Sequence, residues 1–262
     1  AIYDECAGTI DLRNALAKQM LGHACTVVPD DIITTNGCLE AVSLCLRAVA
    51  GPGDTILVES PVFHCFLQLI EDLNMYVVEL PGCPEKGMAP EAFREIISAN
   101  PVKACLLNTN FQNPLGSVMS RKAKQAVLET AAAHDLPIIE DDIYGDLYFG
   151  TKRPETFKSL DTKGNVLYCS SFSKTLAPGL RAGWAVPGKF RKKVLRLKLN
   201  TQLSSPQIGH RVAARFLETG AYDRHLRRLR NQIKNQMSAM SIAIANHFPK
   251  DTRVTFPKGG MV

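Results

Sequence analysis

The sequence predicts an α/β fold, a three-layer sandwich with a mostly parallel central sheet between helices. Helix-like and strand-like segments alternate along most of the 262 residues. The strand-like segments are apolar at nearly every position, as in 55–58 and 136–139. Strands of this kind are buried on both faces, which favours a parallel sheet covered by helices on each side.

The elements follow from periodicity and from turn residues. Leu12, Leu16 and Met20 have helical spacing, and Gly51-Pro52-Gly53-Asp54 is typical of a turn. We expect helices over 10–21, 38–50, 62–73, 90–99, 120–134, 189–199, 206–217 and 223–247. We expect strands over 31–35, 55–58, 75–80, 103–108, 136–139 and 166–169.

A last strand is expected over 253–256, as the first of a smaller C-terminal α+β domain. The chain then divides into a large domain, 1–245, and the beginning of a small domain, 246–262. Both ends are abrupt, which predicts a piece of a longer polypeptide.

Composition narrows the class of protein. No apolar run approaches the length of a membrane span and no signal peptide is recognisable, so we expect a cytoplasmic protein. The eight cysteines form no CxxC pair and no zinc-like spacing with histidine, which predicts free thiols and no metal site. The net charge of +6 fits a basic enzyme surface as well as an anionic ligand, a phosphorylated cofactor or nucleic acid.

A lysine follows the predicted strand 166–169. Lys174 lies among several hydroxyl residues, and Arg181 comes seven positions later. A lysine near other cations and partly desolvated becomes a nucleophile able to form a Schiff base. The hydroxyls and the arginine are suited to hold a phosphate. The alternative is a surface lysine in a serine-rich loop.

Three further motifs follow strands, where ligands bind in open α/β sheets. One of the carboxylates Glu140, Asp141 and Asp142 could pair with a protonated ring nitrogen, or all three could be helix caps and solvated charges. Asn113 offers an amide donor to a ring hydroxyl, or forms a plain Asn-Pro turn. The helix start after Gly37 offers amides to a phosphate, or follows a simple Asn-Gly turn.

Together and in this order, these motifs resemble the fold-type I pyridoxal-phosphate (PLP) family, the aspartate-aminotransferase superfamily. The segment 170–181, followed by Gly183-Trp184, is similar to the lysine motif of that family. The resemblance extends from Tyr3 to the terminal Gly-Gly-Met. It implies the large domain of a PLP-dependent transferase, with pyridoxal 5'-phosphate as the cofactor.

The resemblance implies three catalytic residues. Lys174 would bind the cofactor as a Schiff base and move a proton between substrate and cofactor. Asp141 would pair with the pyridine nitrogen, and Tyr144 would donate to the ring hydroxyl. Glu140 and Asp142 would be structural.

The other implied residues contact the cofactor. Asn113 would bind the ring hydroxyl and Phe63 would stack on the ring. The phosphate would be held by Ser171, Arg181 and the backbone of Gly37, Cys38 and Leu39. Tyr3 would reach the phosphate of the neighbouring subunit, which implies a homodimer with shared active sites.

Two features depart from the family pattern. Leu39 stands where many relatives carry a polar residue, so only its backbone amide can contribute. The loop reads Asn113-Pro114-Leu115-Gly116, where most aminotransferases have Asn-Pro-Thr-Gly. The arginine that relatives use to hold the substrate carboxylate would lie beyond Val262.

Several phrases are similar to MocR-type regulators of the GntR family: 110–116, 140–147, 170–174 and 222–230. In those proteins a winged helix-turn-helix precedes an aminotransferase-like domain that senses PLP or an amino compound. The leading hypothesis is therefore an effector-sensing, PLP-binding domain, with DNA bound only through a domain upstream of this chain. A free-standing aminotransferase acting on amino acids, or a related lyase or decarboxylase, is the alternative. The basic run from Arg224 to Arg230 favours a solvated helix face over DNA contact.

Overall fold

Within residues 5–262, which the computed structural model describes, nine α-helices and eight strands alternate. The helices are α1 Ile10–Gly22, α2 Cys38–Val49, α3 His64–Asp72, α4 Pro90–Ala99, α5 Arg121–Ala133, α6 Phe157–Leu160, α7 Arg191–Gln202, α8 Gln207–Glu218 and α9 Ala221–His247. The strands are β1 Ile33–Thr35, β2 Thr55–Ser60, β3 Tyr76–Cys83, β4 Gly87–Met88, β5 Val102–Leu107, β6 Ile138–Asp141, β7 Val166–Ser171 and β8 Gly183–Val186.

The strands form one sheet in the order β1-β8-β7-β6-β5-β2-β3-β4. Its central strands, β3, β2, β5, β6 and β7, are parallel, whereas β8 runs antiparallel to both of its neighbours. Successive side chains of β7 alternate between the two faces. Leu167 and Cys169 pack towards α2, α3 and α7, whereas Val166 packs with α4, α5 and α6 and Tyr168 with α1, α8 and α9. The predicted three-layer, mostly parallel fold is confirmed.

The parallel register brings the carboxyl ends of the central strands to one edge of the sheet. Asp141 pairs with Cys169, and Leu107 pairs with Glu140. The residues that follow β2, β5, β6 and β7 therefore surround a single region, where open α/β sheets bind ligands.

The prediction of a strand at 253–256 is wrong. These residues are exposed and adopt no strand, because no neighbouring strand within 5–262 is placed to pair with them. Farther along the chain, Gly259 forms an isolated bridge with Tyr148. Helix α9 continues to His247, so the predicted domain boundary falls in its last turn, and the division into two domains stays a prediction.

Strands β4 and β8 have no counterpart among the predicted elements. β8 has four residues, and its neighbours β7 and β1 belong to distant parts of the chain. A segment so short has no periodicity of its own, and only its partners make it a strand. In the described part of the chain, no helix combines the length and apolar character that crossing a membrane requires.

Candidate functional site

The start of α2 forms a candidate anion-binding surface. Gly37 precedes the helix with φ 101° and ψ 173°, a backbone conformation essentially restricted to glycine. A Cβ on Gly37 would lie 2.5 Å from Nη2 of Arg181. The Arg181 guanidinium donates to the carbonyl of Asn36 at 2.5 Å, so the arginine crosses directly over the glycine. The first amides of a helix have no intrahelical acceptor, and the Arg181 guanidinium lies beside the glycine that precedes them.

The strand register adds Ser171 to the same surface. Gly183 of β8 pairs with both Thr35 and Ser171. A Cβ on Gly183 would lie 2.5 Å from the carbonyl carbon of Gly37, so the two glycines allow the strands and helix to meet. We call the surface formed by Gly37, Cys38, Leu39, Ser171 and Arg181 the anion cup.

Asp141 is a buried carboxylate at the end of β6. Its oxygens accept hydrogen bonds from Cys38 Sγ at 3.1 Å and from Asn108 Nδ2 at 3.1 Å. Burial raises the pKa of Asp141 to about 6, although these hydrogen bonds lower it. Among residues 5–262 it has no ion pair with a cation, so a protonated ring nitrogen is the kind of partner it lacks.

The neighbouring carboxylates have structural partners. Asp142 accepts from Asn110 Nδ2 at 2.9 Å and from the Tyr168 hydroxyl at 2.9 Å, and it pairs with Arg153. Glu140 accepts from the backbone amides of Phe157 at 2.7 Å and Lys158 at 2.9 Å, which start α6. Asp142 thus has a cationic partner and Glu140 is held by the start of α6, whereas Asp141 contacts Cys38, the first residue of α2. This makes Asp141 the candidate carboxylate for a ligand.

Tyr144 and Asn113 lie together beside Asp141. Burial and the Asp141 charge raise the pKa of the Tyr144 phenol, whereas polar contact with the Asn113 side chain lowers it. Asn113 is half-buried, on the loop that follows β5. Two potential hydrogen-bond donors therefore lie together near Asp141.

The remaining predicted residues are more exposed. Phe63 is half-buried and packs edge-on against Phe66, with ring centroids 5.5 Å apart. Lys174 is exposed rather than desolvated, because it lies on a loop and not on the strand. Leu39 is 44% exposed, and Tyr3 lies outside the described residues.

Two residues near Asp141 were not predicted. Asn108 donates its backbone amide to Glu59 at 3.3 Å, and its own Oδ1 is buried without a donor. Burial raises the pKa of Glu59 to about 8. Their position was a usable signal, since Asn108 directly follows β5, the neighbour of the strand that carries Asp141, and Glu59 lies near the end of β2, on the other side of β5.

The whole chain matches a known protein family. The family model for aminotransferase class I and II matches residues 1–262. The chain belongs to this family. It is 40% identical over 260 residues to the uncharacterized HTH-type transcriptional regulator YjiR of Escherichia coli (strain K12), covering 99% of this chain and 55% of the regulator. It is 32% identical over 266 residues to aromatic-amino-acid aminotransferase 1 of Thermococcus litoralis, covering 99% of this chain and 64% of the enzyme.

Among solved structures, the fold matches Pyrococcus horikoshii kynurenine aminotransferase with a TM-score of 0.90. The two sequences are 32% identical, and the match covers 99% of this chain and 65% of the other. That structure holds PMP together with KYN as substrate and KYA as product. The chain therefore spans about half to two thirds of the relatives it matches.

The family and this complex indicate pyridoxal phosphate as the cofactor. The residues present fit such a group on two structural observations. The absence of a Cβ on Gly37 lets the Arg181 guanidinium lie against the start of α2, and Asp141 is a buried carboxylate without a cationic partner among residues 5–262.

Proposed function

We propose that this chain is the PLP-binding, effector-sensing domain of a GntR/MocR-type transcriptional regulator, with the cofactor attached to Lys174 as a Schiff base. Asp141 carries this proposal: it is a buried carboxylate with no cationic partner among residues 5–262, at the sheet edge that also holds the anion cup. The similarity to the regulator YjiR at 40% identity supports the regulatory role.

Each residue then has a defined task. Arg181, Ser171 and the amides of Gly37, Cys38 and Leu39 bind the phosphate. Asp141 holds a proton on the ring nitrogen, and Tyr144 and Asn113 donate to the ring hydroxyl. Phe63 packs against the ring. When bound, the cofactor supplies an electron sink for chemistry at the carbon next to an amine.

The proposal extends to the assembly. Tyr3 of a second copy completes the cup, so the protein is a homodimer with shared sites. DNA binding belongs to a winged-helix domain outside this chain, and the protein acts in the cytoplasm. Amino acids or other amines are the ligands that the site senses.

Absorbance spectroscopy tests the cofactor assignment. Protein loaded with PLP should show a visible band that is lost in Lys174→Ala. It should persist in Lys163→Ala, since Lys163 is an exposed lysine that precedes β7, at the opposite end of that strand from Lys174. Equal bands in both variants would exclude Lys174 as the attachment site.

A second candidate is a free-standing aminotransferase, favoured by the 32% identity to the Thermococcus litoralis enzyme. The two functions differ in turnover. A sensor domain should exchange amino groups with L-amino acids and a 2-oxo acid very slowly or not at all, and amines should alter its DNA affinity. Rapid multi-turnover transamination without DNA binding would replace the regulator proposal with the enzyme.

A further inference from the structure

A buried histidine lies directly behind the anion cup. His210 of α8 has 0% of its surface exposed, and neither ring nitrogen makes a hydrogen bond. A buried imidazole with two unsatisfied nitrogens carries a desolvation cost. That cost is offset only when the ring gains a hydrogen-bond partner.

The ring nitrogens are near two backbone carbonyls, one in the anion cup and one just before it. The backbone carbonyls of Thr35 and Arg181 both raise the pKa of His210 as potential acceptors. Neither contact reaches hydrogen-bond geometry. Thr35 leads into the Gly37 turn, and Arg181 is the cation of the cup.

The loop that carries Arg181 is supported by α8. Arg181 itself has a left-handed backbone, with φ 47° and ψ 40°. A Cβ on Gly209 would lie 2.2 Å from the carbonyl oxygen of Leu180, so the helix touches this loop without a side chain between them. His210 follows Gly209 and is therefore placed to fix the conformation of Arg181.

The charges around the imidazole come from two other helices. Lys198 of α7 is fully buried, its Nζ makes no hydrogen bond, and burial lowers its pKa to about 8. Burial and the Lys198 charge lower the pKa of His210, whereas Glu40 of α2 raises it. Without an anion in the cup, the neutral ring is favoured.

A neutral imidazole has one N–H donor and faces two acceptors, so one ring lone pair opposes a carbonyl oxygen. An imidazolium has two donors and satisfies both carbonyls. A dianion in the cup adds the negative charge that offsets Lys198 and favours the imidazolium.

We propose that His210 is a positioning residue of the anion cup, and that it takes up a proton from solvent when a phosphate dianion binds there. The protonated ring then donates to the carbonyls of Thr35 and Arg181 and fixes the guanidinium over the phosphate. This inference rests on the proposed placement of the cofactor phosphate in the cup.

Nitrogen NMR of the protein labelled with ¹⁵N-histidine tests it. The chain contains six histidines, and the resonance absent from His210→Gln identifies the ring. At pH 7.5 we expect neutral-imidazole shifts without ligand and imidazolium shifts after PLP is added. Pyridoxal, which lacks the phosphate, should leave the ring neutral. A ring that stays neutral with PLP, or is already charged without it, overturns the inference.

Affinity gives an independent readout. Loss of the hydrogen bonds that position Arg181 should lower the preference for PLP over pyridoxal about tenfold in His210→Ala, as expected for a bond to a charged group. His210→Gln keeps a donor and should retain most of the preference. His134→Gln changes an exposed histidine at the end of α5 and should behave as wild type.

The outcomes separate this inference from the proposed function. If PLP gives no visible band with the wild-type protein, the cofactor proposal fails. If the band forms and the preference for PLP is the same in wild type and His210→Ala, only the role of His210 fails.

Discussion

Cys38 Sγ lies 3.1 Å from Asp141 Oδ1, so the first residue of α2 donates to the carboxylate at the end of β6. This contact joins the two parts of the candidate site, the anion cup and the surroundings of Asp141. In the proposed placement of the cofactor, Cys38 would contact the phosphate through its backbone amide. Its thiol contacts the carboxylate that would hold the ring nitrogen.

Removing this thiol should change the titration of Asp141. The hydrogen bond from Cys38 lowers the pKa of Asp141, which burial has raised. Cys38→Ala should therefore raise that pKa further, by about one unit, the worth of a hydrogen bond to a charged group. Carboxyl ¹³C NMR measures the shift. Cys38→Ser keeps a donor and serves as the control, and identical titrations in the two variants would contradict the assigned contact.

Asp141 should make the cofactor-free protein less stable as pH rises. Its folded pKa of about 6 exceeds the ordinary value of 3.8, so the folded state holds more protons in this window. The free energy of unfolding should then fall by about 2 kcal/mol as pH rises from 4 to 6, and by about 3 kcal/mol over the whole titration.

Asp141→Asn, which stays neutral, should lack this contribution. Urea unfolding of wild type and variant at several pH values measures the difference. Asp72→Asn, at an exposed position on α3, should keep the wild-type dependence. Parallel pH profiles for Asp141→Asn and wild type would show that the carboxylate is already ionised at pH 4.

Gly37→Ala should damage the anion cup beyond the cost of backbone strain. The new Cβ would meet Nη2 of Arg181 at 2.5 Å, in a conformation with φ 101°. Gly53 also has a positive φ, +84°, but a Cβ there meets nothing within 4 Å. Both variants should lose about 1–3 kcal/mol of stability from strain.

Only Gly37→Ala should also weaken PLP binding, because the guanidinium must move. Thermal unfolding and PLP titration, run on both variants, separate strain from the clash. Equal PLP affinity in the two variants would mean that Arg181 does not depend on Gly37.

The buried pair between Asp142 and Arg153 should be a large contributor to stability. Their side chains are 1% and 9% exposed. Asp142→Asn leaves the arginine charge with fewer partners and should lower the free energy of unfolding by about 3–5 kcal/mol. Chemical denaturation measures this loss. Arg215→Ala removes an ion pair to Glu218 whose arginine is 77% exposed, and it should cost less than about 1 kcal/mol.

Most of the site was predictable because its residues follow strands. Lys174, Asp141, Asn113 and Gly37 each stand just past an apolar segment, and parallel strands bring such positions to one edge. Residues that act through partners distant in sequence were not predictable. His210 and Lys198 lie on helices, and their sequence neighbours give no sign that the side chains are buried behind the cup.

The sequence by itself determined the alternation of helices and strands, the parallel sheet and the candidates for the chemistry-bearing residues, because periodicity and residue type are local properties. Tertiary structure decided which carboxylate is available. Glu140, Asp141 and Asp142 are adjacent in sequence, and only the packing of α6, Arg153 and Cys38 around them occupies two and leaves the third without a cation in the described chain. Strand β8 and the meeting of Gly37 with Gly183 likewise exist only because remote segments pair, which no local pattern encodes.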